Sequence, residues 1–255
     1  MVTRPTQARP RGGRWPNVLA GLAILLIAAA ALMMAGAGPA YRGELISLGE
    51  AFNLLRNGVY AAGGAVAVSI IALLWSMLAR RSTPALMATL VIIAAAALLY
   101  VPWQHWQRAQ QVPAIHDITT DTQNPPAFEA LAEAREAAPN GVDYPGAATA
   151  QQQQAAYPNI QSLVLAAPPQ SVLAAAQAEA EEAGWRIARI TDNHIEATAT
   201  TRWFGFEDDV VIRLTDVENG VQVDMRSASR LGASDVGTNA ARIEQFLAAL
   251  DARLE

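Results

Sequence analysis

The chain has 255 residues, no cysteine and a formal net charge of −5. Without cysteine there are no disulfides, no thiolate chemistry and no Cys-ligated metal. Its basic residues are all Arg, and they divide unevenly. Residues 1–110 carry 9 Arg and 2 Glu, a balance of +7. Residues 111–255 carry 9 Arg against 21 Asp plus Glu, a balance of −12. An acidic carboxy-terminal part excludes the basic face that nucleic-acid binding needs.

Residues 1–17, with Arg4, Arg9, Arg11 and Arg14, read as a basic tail. Residues 18–36 are an uninterrupted apolar run, long enough to cross a hydrocarbon core of about 30 Å. Trp15 stands at its start, where interfacial aromatics belong. A cleaved signal peptide is the rival reading, with Ala35-Gly36-Ala37-Gly38 as its small-residue site. Residues 39–57 are mixed in character and read either as a short interfacial helix or as a connecting loop. Residues 59–79 form a second apolar run, in which Gly63-Gly64 and Ser69 admit a close neighbouring helix. Arg80-Arg81 ends it. Thr83 and Pro84 read as N-cap and first helical residue of a third run, residues 84–101, closed by Tyr100, Trp103 and Trp106.

The three apolar runs carry no Asp, Glu, His or Arg, which argues against a proton relay or ion pathway. The positive-inside rule places the tail and the Arg80-Arg81 loop in the cytoplasm. The expectation is therefore a multi-pass protein of the bacterial inner membrane, with its membrane region over residues 18–103. Residues 112–255 would form an extracytoplasmic domain, periplasmic in a Gram-negative cell. Its expected partners are the lipid bilayer and an envelope protein; no cofactor is implied.

Within that domain, residues 114–120 read as a strand. Asn124-Pro125-Pro126 reads as the start of a short helix reaching Ala138. Residues 139–160 read as a long irregular connection, and residues 162–166 as a short strand. Pro168-Pro169 opens a helix through Glu182 with Val172, Leu173, Ala176 and Ala180 inward, and Gly184 stops it. A hairpin about Asp192-Asn193 pairs Ile190 with Ile195, Ala188 with Ala197 and Arg189 with Glu196.

A second hairpin is signalled by Asn219-Gly220 between alternating runs. A two-residue turn there would pair Leu214 with Met225 and Ile212 with Ser227, and set Arg213 opposite Arg226. Thr238 reads as the N-cap of a last helix, with Ile243, Phe246, Leu247, Leu250 and Leu254 on one stripe. Antiparallel strands with helices before and after them give an α+β domain, one sheet with helices on one face.

Three stretches, HDITTDTQNPPAF (His116 to Phe128), ATATTRWFGFEDDVVIRL (Ala197 to Leu214) and VDMRSASRLGASDVGTNAARI (Val223 to Ile243), resemble the bacterial family of domain of unknown function 1499. The membrane-anchored layout is similar to members that carry helices ahead of the domain. The resemblance spans roughly residues 112 to 253. It implies the domain's boundaries and brings no activity, substrate or catalytic residue with it.

Candidate chemistry is sparse. Arg226, Arg230 and Arg213 are candidates to fork an anionic ligand, against ion pairing within an acidic domain. His116 and Asp117 crowd the first strand, either as a ligand cluster or as a polar strand end. Asp208 and Asp209 are weak candidates for a hard cation, against a solvated turn. Gly232-Ala233-Ser234-Asp235-Val236 lacks the final glycine of a nucleophile elbow, and phosphate-binding glycine motifs are absent. The leading expectation is a binding or interaction module in the cell envelope. Two alternatives stand beside it. One is an envelope hydrolase or metal-dependent enzyme using His116, Asp117, Asp208 and Asp209, and the other is a structural subunit of a membrane complex.

Overall fold

The computed structural model describes residues 13–255. Most of the basic tail, residues 1–12, lies outside the described residues. The chain divides into two compact units, Met1–Gln104 and His105–Glu255.

The first unit is built from helices α1 (Trp15–Arg42), α2 (Leu48–Leu78) and α3 (Ser82–Gln111), the last of which runs on into the second unit. All three are long and apolar enough to cross a membrane. They exceed the apolar runs that announced them. The mixed stretch 39–57 is helical except at residues 43–47, shared between the end of α1 and the start of α2. Ser47 and Glu50 form a reciprocal capping box that starts α2, with the Glu50 carboxylate accepting from the Ser47 N–H at 2.8 Å. Two orphan N–H groups are thereby satisfied. α3 begins at Ser82, so Thr83 lies inside it rather than capping it.

Small residues form the contact between helices here, as membrane helices require. Ala23, Ala30, Ala62, Ala65, Ala72 and Ala88 are fully buried. Ser69 is fully buried, but among the glycines the tight contact is not at Gly63-Gly64, where an added Cβ would meet nothing within 4 Å. It is at Gly58, where a Cβ would stand 2.4 Å from Met34 Cγ and 3.2 Å from the Ala30 carbonyl. Arg81 donates to the Gly13 carbonyl at 2.7 Å, so the start of α1 and the α2–α3 loop share one side of the bundle.

The second unit contains β1 (Asp117–Thr119), α4 (Ala132–Glu136), α5 (Ala147–Ala156), β2 (Leu163–Leu165), α6 (Pro169–Glu182), β3 (Arg186–Ile190), β4 (His194–Thr200), β5 (Glu207–Val217), β6 (Gly220–Ser229) and α7 (Thr238–Leu254). The strands form one antiparallel sheet in the order β1-β6-β5-β4-β3, and β2 pairs with the turn-proximal half of β6. This is the α+β architecture that the alternating patterns announce.

Period-two alternation divides each strand between two faces. On one face Ile118, Ile195, Val210, Ile212, Leu214, Val223 and Met225 meet Val172, Ala176 and Ala180 of α6 and Ile243, Phe246 and Leu250 of α7. Fully burying each large aliphatic side chain contributes about 1.5–3 kcal/mol, an upper estimate for a compact unfolded chain. Trp185 stacks on Phe246 at 5.3 Å between centroids and closes the end of this core.

The hairpin registers differ from the simple expectation in instructive ways. In β5–β6, Val217 pairs with Gly220, Leu214 with Val223, Ile212 with Met225 and Arg213 with Asp224. The loop residues are therefore Glu218-Asn219, one step earlier than the Asn-Gly signal implies. A type I′ turn needs positive φ at both central residues. Asn219 is not among the positive-φ residues; Gly220 alone takes φ 136°. The register moves by two, an even step, so both apolar sets keep their face. The Arg213–Arg226 clash vanishes and Arg213 meets a carboxylate instead. In β3–β4 the pairs Ile190–Ile195 and Arg189–Glu196 form as expected. A bulge at Ala188 then makes Ile187, not Ala188, the partner of Ala197.

Three other expectations need correction. The Asn124-Pro125-Pro126 stretch is not helical, and α4 starts only at Ala132. The connection 139–160 holds α5, whose AATAQQQQAA is rich in good helix formers. Gly237, at φ 78°, precedes α7, and Thr238 is its first residue. Asp235 does the capping, accepting from the Gly237 N–H at 2.9 Å and the Asn239 N–H at 2.6 Å.

Candidate functional site

The second sheet face is polar and yet buried. Asp117, Thr119, Glu196, Thr198, Asp209, Asp224 and Arg226 all lie on it and are nearly inaccessible. An arm formed by residues 121–146 crosses this face. Phe128 and Leu131 of the arm pack on Val211 and Ala228 of the sheet. Charges removed from water are costly unless paired, and here the pairing is dense.

Arg226 grips Asp117 with two parallel bonds, Nε to Oδ1 at 3.0 Å and Nη2 to Oδ2 at 2.8 Å. It also donates to the carbonyls of Pro126 and Val142. Arg230 grips Asp209 through Nε and Nη2, both at 2.8 Å, and bonds Glu207 as well. These bonds hold the Arg230 guanidinium's pKa above its ordinary value, its bond to Asp209 being the main cause. Arg213 bridges Asp224 at 2.8 Å and Asp121 at 3.0 Å. The three arginines that the sequence offers for an anionic ligand are therefore all held by carboxylates of the same domain.

Two residues of this layer do more than the sequence implies. Arg135 is fully buried, with Nη1 on Asp209 at 3.2 Å and on the Ala228 carbonyl at 2.9 Å. Its Nε and Nη2 have no partner. Burial lowers the pKa of this guanidinium, against the pull of Asp209 and Asp117. The Phe128 ring meets two cations, 4.7 Å from Arg135 and 4.7 Å from Arg226, the distance of a cation–π contact. Phe128, Leu131 and Arg135 recur at helical spacing, which was the available signal.

Glu196 is the second such residue. Its carboxylate accepts the N–H groups of Glu129, Ala130 and Leu131 at 3.0, 2.8 and 3.0 Å. It thus anchors the arm where α4 begins, while Arg189 turns to Glu129 at 3.2 Å.

Asp208 and Asp209 are successive strand residues and so take opposite faces. Asp209 lies under the arm; Asp208 faces α7 and pairs with Arg242 at 2.6 Å. On that side Asn239 bonds Ser229 Oγ, Ser227 Oγ and the His116 carbonyl. Among the described residues no group of three or more His, Asp or Glu side chains converges to hold a metal.

His116 stands apart from its neighbour Asp117. It lines an open cleft of about 430 Å³ together with Asn140, Pro145, Thr149, Gln152 and Gly232. Its Nδ1 is buried and has no hydrogen-bond partner. The polar side chains of this cleft are neutral hydrogen-bonding groups set among Ala114, Ile115, Pro145 and Ala233, in a domain otherwise dominated by ion pairs. A second groove, about 650 Å³, runs along α6 and α7 and is lined by Arg108, Glu179, Glu182, Trp185 and Arg242.

The family model described as Protein of unknown function (DUF1499) matches residues 117–250. The chain belongs to that family. The match covers β1 through most of α7, so the sheet and the arm are features of the DUF1499 domain; Ala114, Ile115 and His116 of one cleft and Arg108 of the other precede it. No curated protein matches the chain.

Proposed function

We propose that this is a multi-pass protein of the bacterial inner membrane whose DUF1499 domain faces the periplasm and acts as a binding module of the cell envelope. Three membrane-spanning helices support the anchoring. The shared side of Gly13 and Arg81 supports a cytoplasmic location for both, by the positive-inside rule. An odd number of crossings then carries the domain outward.

The ligand surface we favour is the His116 cleft. One observation carries this choice: a buried imidazole nitrogen lacks a partner beside a cleft lined by Asn140, Thr149 and Gln152. An anion at Arg213, Arg226 or Arg230 would have to displace a buried carboxylate from each. The cleft asks for no such exchange. Its chemistry suits an uncharged polar ligand, a saccharide hydroxyl or a peptide amide, from an envelope polymer or partner protein.

The test is thermal stabilisation of the purified chain in detergent by N-acetylglucosamine oligomers and short neutral peptides. A probe at 100 times its dissociation constant adds about 2.7 kcal/mol. That gain is expected to disappear in His116→Phe, whose unliganded stability should match the parent. If no neutral probe stabilises the parent, the binding reading of this cleft fails. Protease protection of the domain in intact cells, lost in spheroplasts, checks the orientation separately.

A further inference from the structure

The β4–β5 connection is unusual for a loop in so polar a domain: Arg202-Trp203-Phe204-Gly205-Phe206. It is also built rather than slack. Thr201 N–H donates to the Phe206 carbonyl at 2.9 Å, and Phe206 N–H donates to Thr201 Oγ1 at 2.8 Å. Gly205, at φ 72°, lets the chain close this turn, and its N–H returns to the Thr201 carbonyl at 2.9 Å. Phe204 and Phe206 stack in parallel with centroids 4.8 Å apart. Trp203 sets its edge against Phe204 at 5.1 Å and is 42% exposed. Three preorganised aromatic rings thus crowd one tip of the fold.

Sheet register fixes which tip this is. Ser229 N–H bonds the His116 carbonyl, Arg230 N–H bonds the Glu207 carbonyl, and Asp208 pairs with Ser229. The entry of β1, the exit of β6 and the β4–β5 loop therefore share one end of the sheet. That end is where the chain arrives from α3, whose last residues, including Trp106 at 59% exposure, belong to the same unit. The β5–β6 turn lies at the other end, ten strand steps or about 33 Å away. The acidic charge beside the aromatic tip is neutralised as well. Glu207, the first residue after the loop, is held by Arg230 and by Arg186 at 3.0 Å.

We propose that the Trp203-Phe204-Gly205-Phe206 loop inserts into the lipid interface of the bilayer that α1–α3 cross, and so holds the DUF1499 domain against its own membrane. Tryptophan and phenylalanine are the side chains that suit the headgroup–acyl boundary. A domain carrying a −12 balance gains nothing from anionic headgroups, so the contact must come from apolar burial. The inference rests on α1–α3 spanning the membrane and is independent of the ligand assigned to the His116 cleft.

The absence of cysteine gives a clean background for site-directed labelling. Trp203→Cys, Phe204→Cys, Glu218→Cys and Ile70→Cys are each labelled with an environment-sensitive fluorophore in the full chain. The labelled proteins are reconstituted into phosphatidylcholine–phosphatidylglycerol vesicles. Quenching is read with spin-labelled lipid and with aqueous iodide. Labels at 203 and 204 are expected to be quenched several-fold more by shallow lipid spin labels than the label at 218, and to resist iodide. The label at 70 reports the hydrocarbon core, so its quenching by deep spin labels shows that the spans are in place whatever the loop does. Iodide access at 203 and 204 equal to that at 218 would overturn the proposal. Shielding from both quenchers would place the loop against protein and overturn it equally.

Discussion

Arg226 and Asp117 form a two-bond pair that is almost wholly buried, with side chains 3% and 1% exposed. Arg135 contacts the same Phe128 ring as Arg226 and is buried as deeply, but two of its nitrogens are unpartnered. The two cations predict opposite outcomes for the same substitution. Arg226→Met strands Asp117 in a closed layer and should cost about 3–5 kcal/mol. In Arg135→Met, Asp209 keeps both bonds from Arg230, the apolar stem still covers Phe128, and two unpartnered donor nitrogens are removed. We expect a change within about 1 kcal/mol, or a gain. Urea unfolding of the two variants side by side decides the matter; equal losses would refute this account of the layer.

Glu196 is expected to govern the arm more than the sheet. Hydrogen bonds to a charged acceptor contribute about 1.5–3 kcal/mol, and this carboxylate accepts three from consecutive residues of the arm. Glu196→Ala should lift hydrogen-exchange protection from residues 125–140 while leaving β5 and β6 protected. If protection falls across the whole sheet instead, the arm is not a separable unit.

These two residues also mark what sequence reading reaches. Alternation and helical spacing made the helix-covered face legible, because Val210, Ile212 and Leu214 need only be apolar to declare their direction. The other face is built from charged side chains, which pattern reading assigns to solvent. Arg135 was invisible for that reason, although it follows Phe128 and Leu131 at helical spacing. Glu196 was read as a simple cross-strand partner of Arg189, because nothing local announces that a loop 65 residues upstream will cover it. His116 and Asp117 were read as one cluster; a single alternation separates them, one to a cleft and one to a salt bridge. The membrane helices were found readily but cut short, since caps such as Ser47 and Glu50 extend helices into polar sequence.

Asp224 gives the layer an acid limit. Burial pushes its carboxyl up, but bonds from the Ser162 hydroxyl, the Arg213 guanidinium and the Gln222 amide outweigh that and hold its pKa below the usual value. A folded-state pKa below the unfolded value of about 4 stabilises the fold above that pH. The contribution is lost as pH falls from there through the folded pKa. Asp224→Asn should therefore lower stability at neutral pH, by about 1.5–3 kcal/mol, and flatten its decline below pH of about 4. Urea midpoints measured between neutral and acid pH test this; parallel curves for variant and parent would rule the assignment out.

The β5–β6 turn makes the last and sharpest prediction. Gly220 has φ 136°, and a Cβ on it would stand 2.1 Å from the Leu165 carbonyl oxygen and 2.9 Å from its carbon. Both obstacles are backbone, held by the pairing of Leu165 with Val221, so neither can rotate away. Gly220→Ala should cost about 1–3 kcal/mol for the backbone conformation alone, and more for the displaced strand. Moving the turn one residue, onto Asn219-Gly220, would shift the register by two and keep the faces, but it would set Arg213 opposite Arg226 instead of Asp224. The strain must therefore appear as loss of β2. Hydrogen exchange should show residues 163–165 exposed in Gly220→Ala, with Arg213 and Asp224 still paired. A variant as stable as the parent, with β2 protected, would show that Gly220 is not where the two strands close on each other.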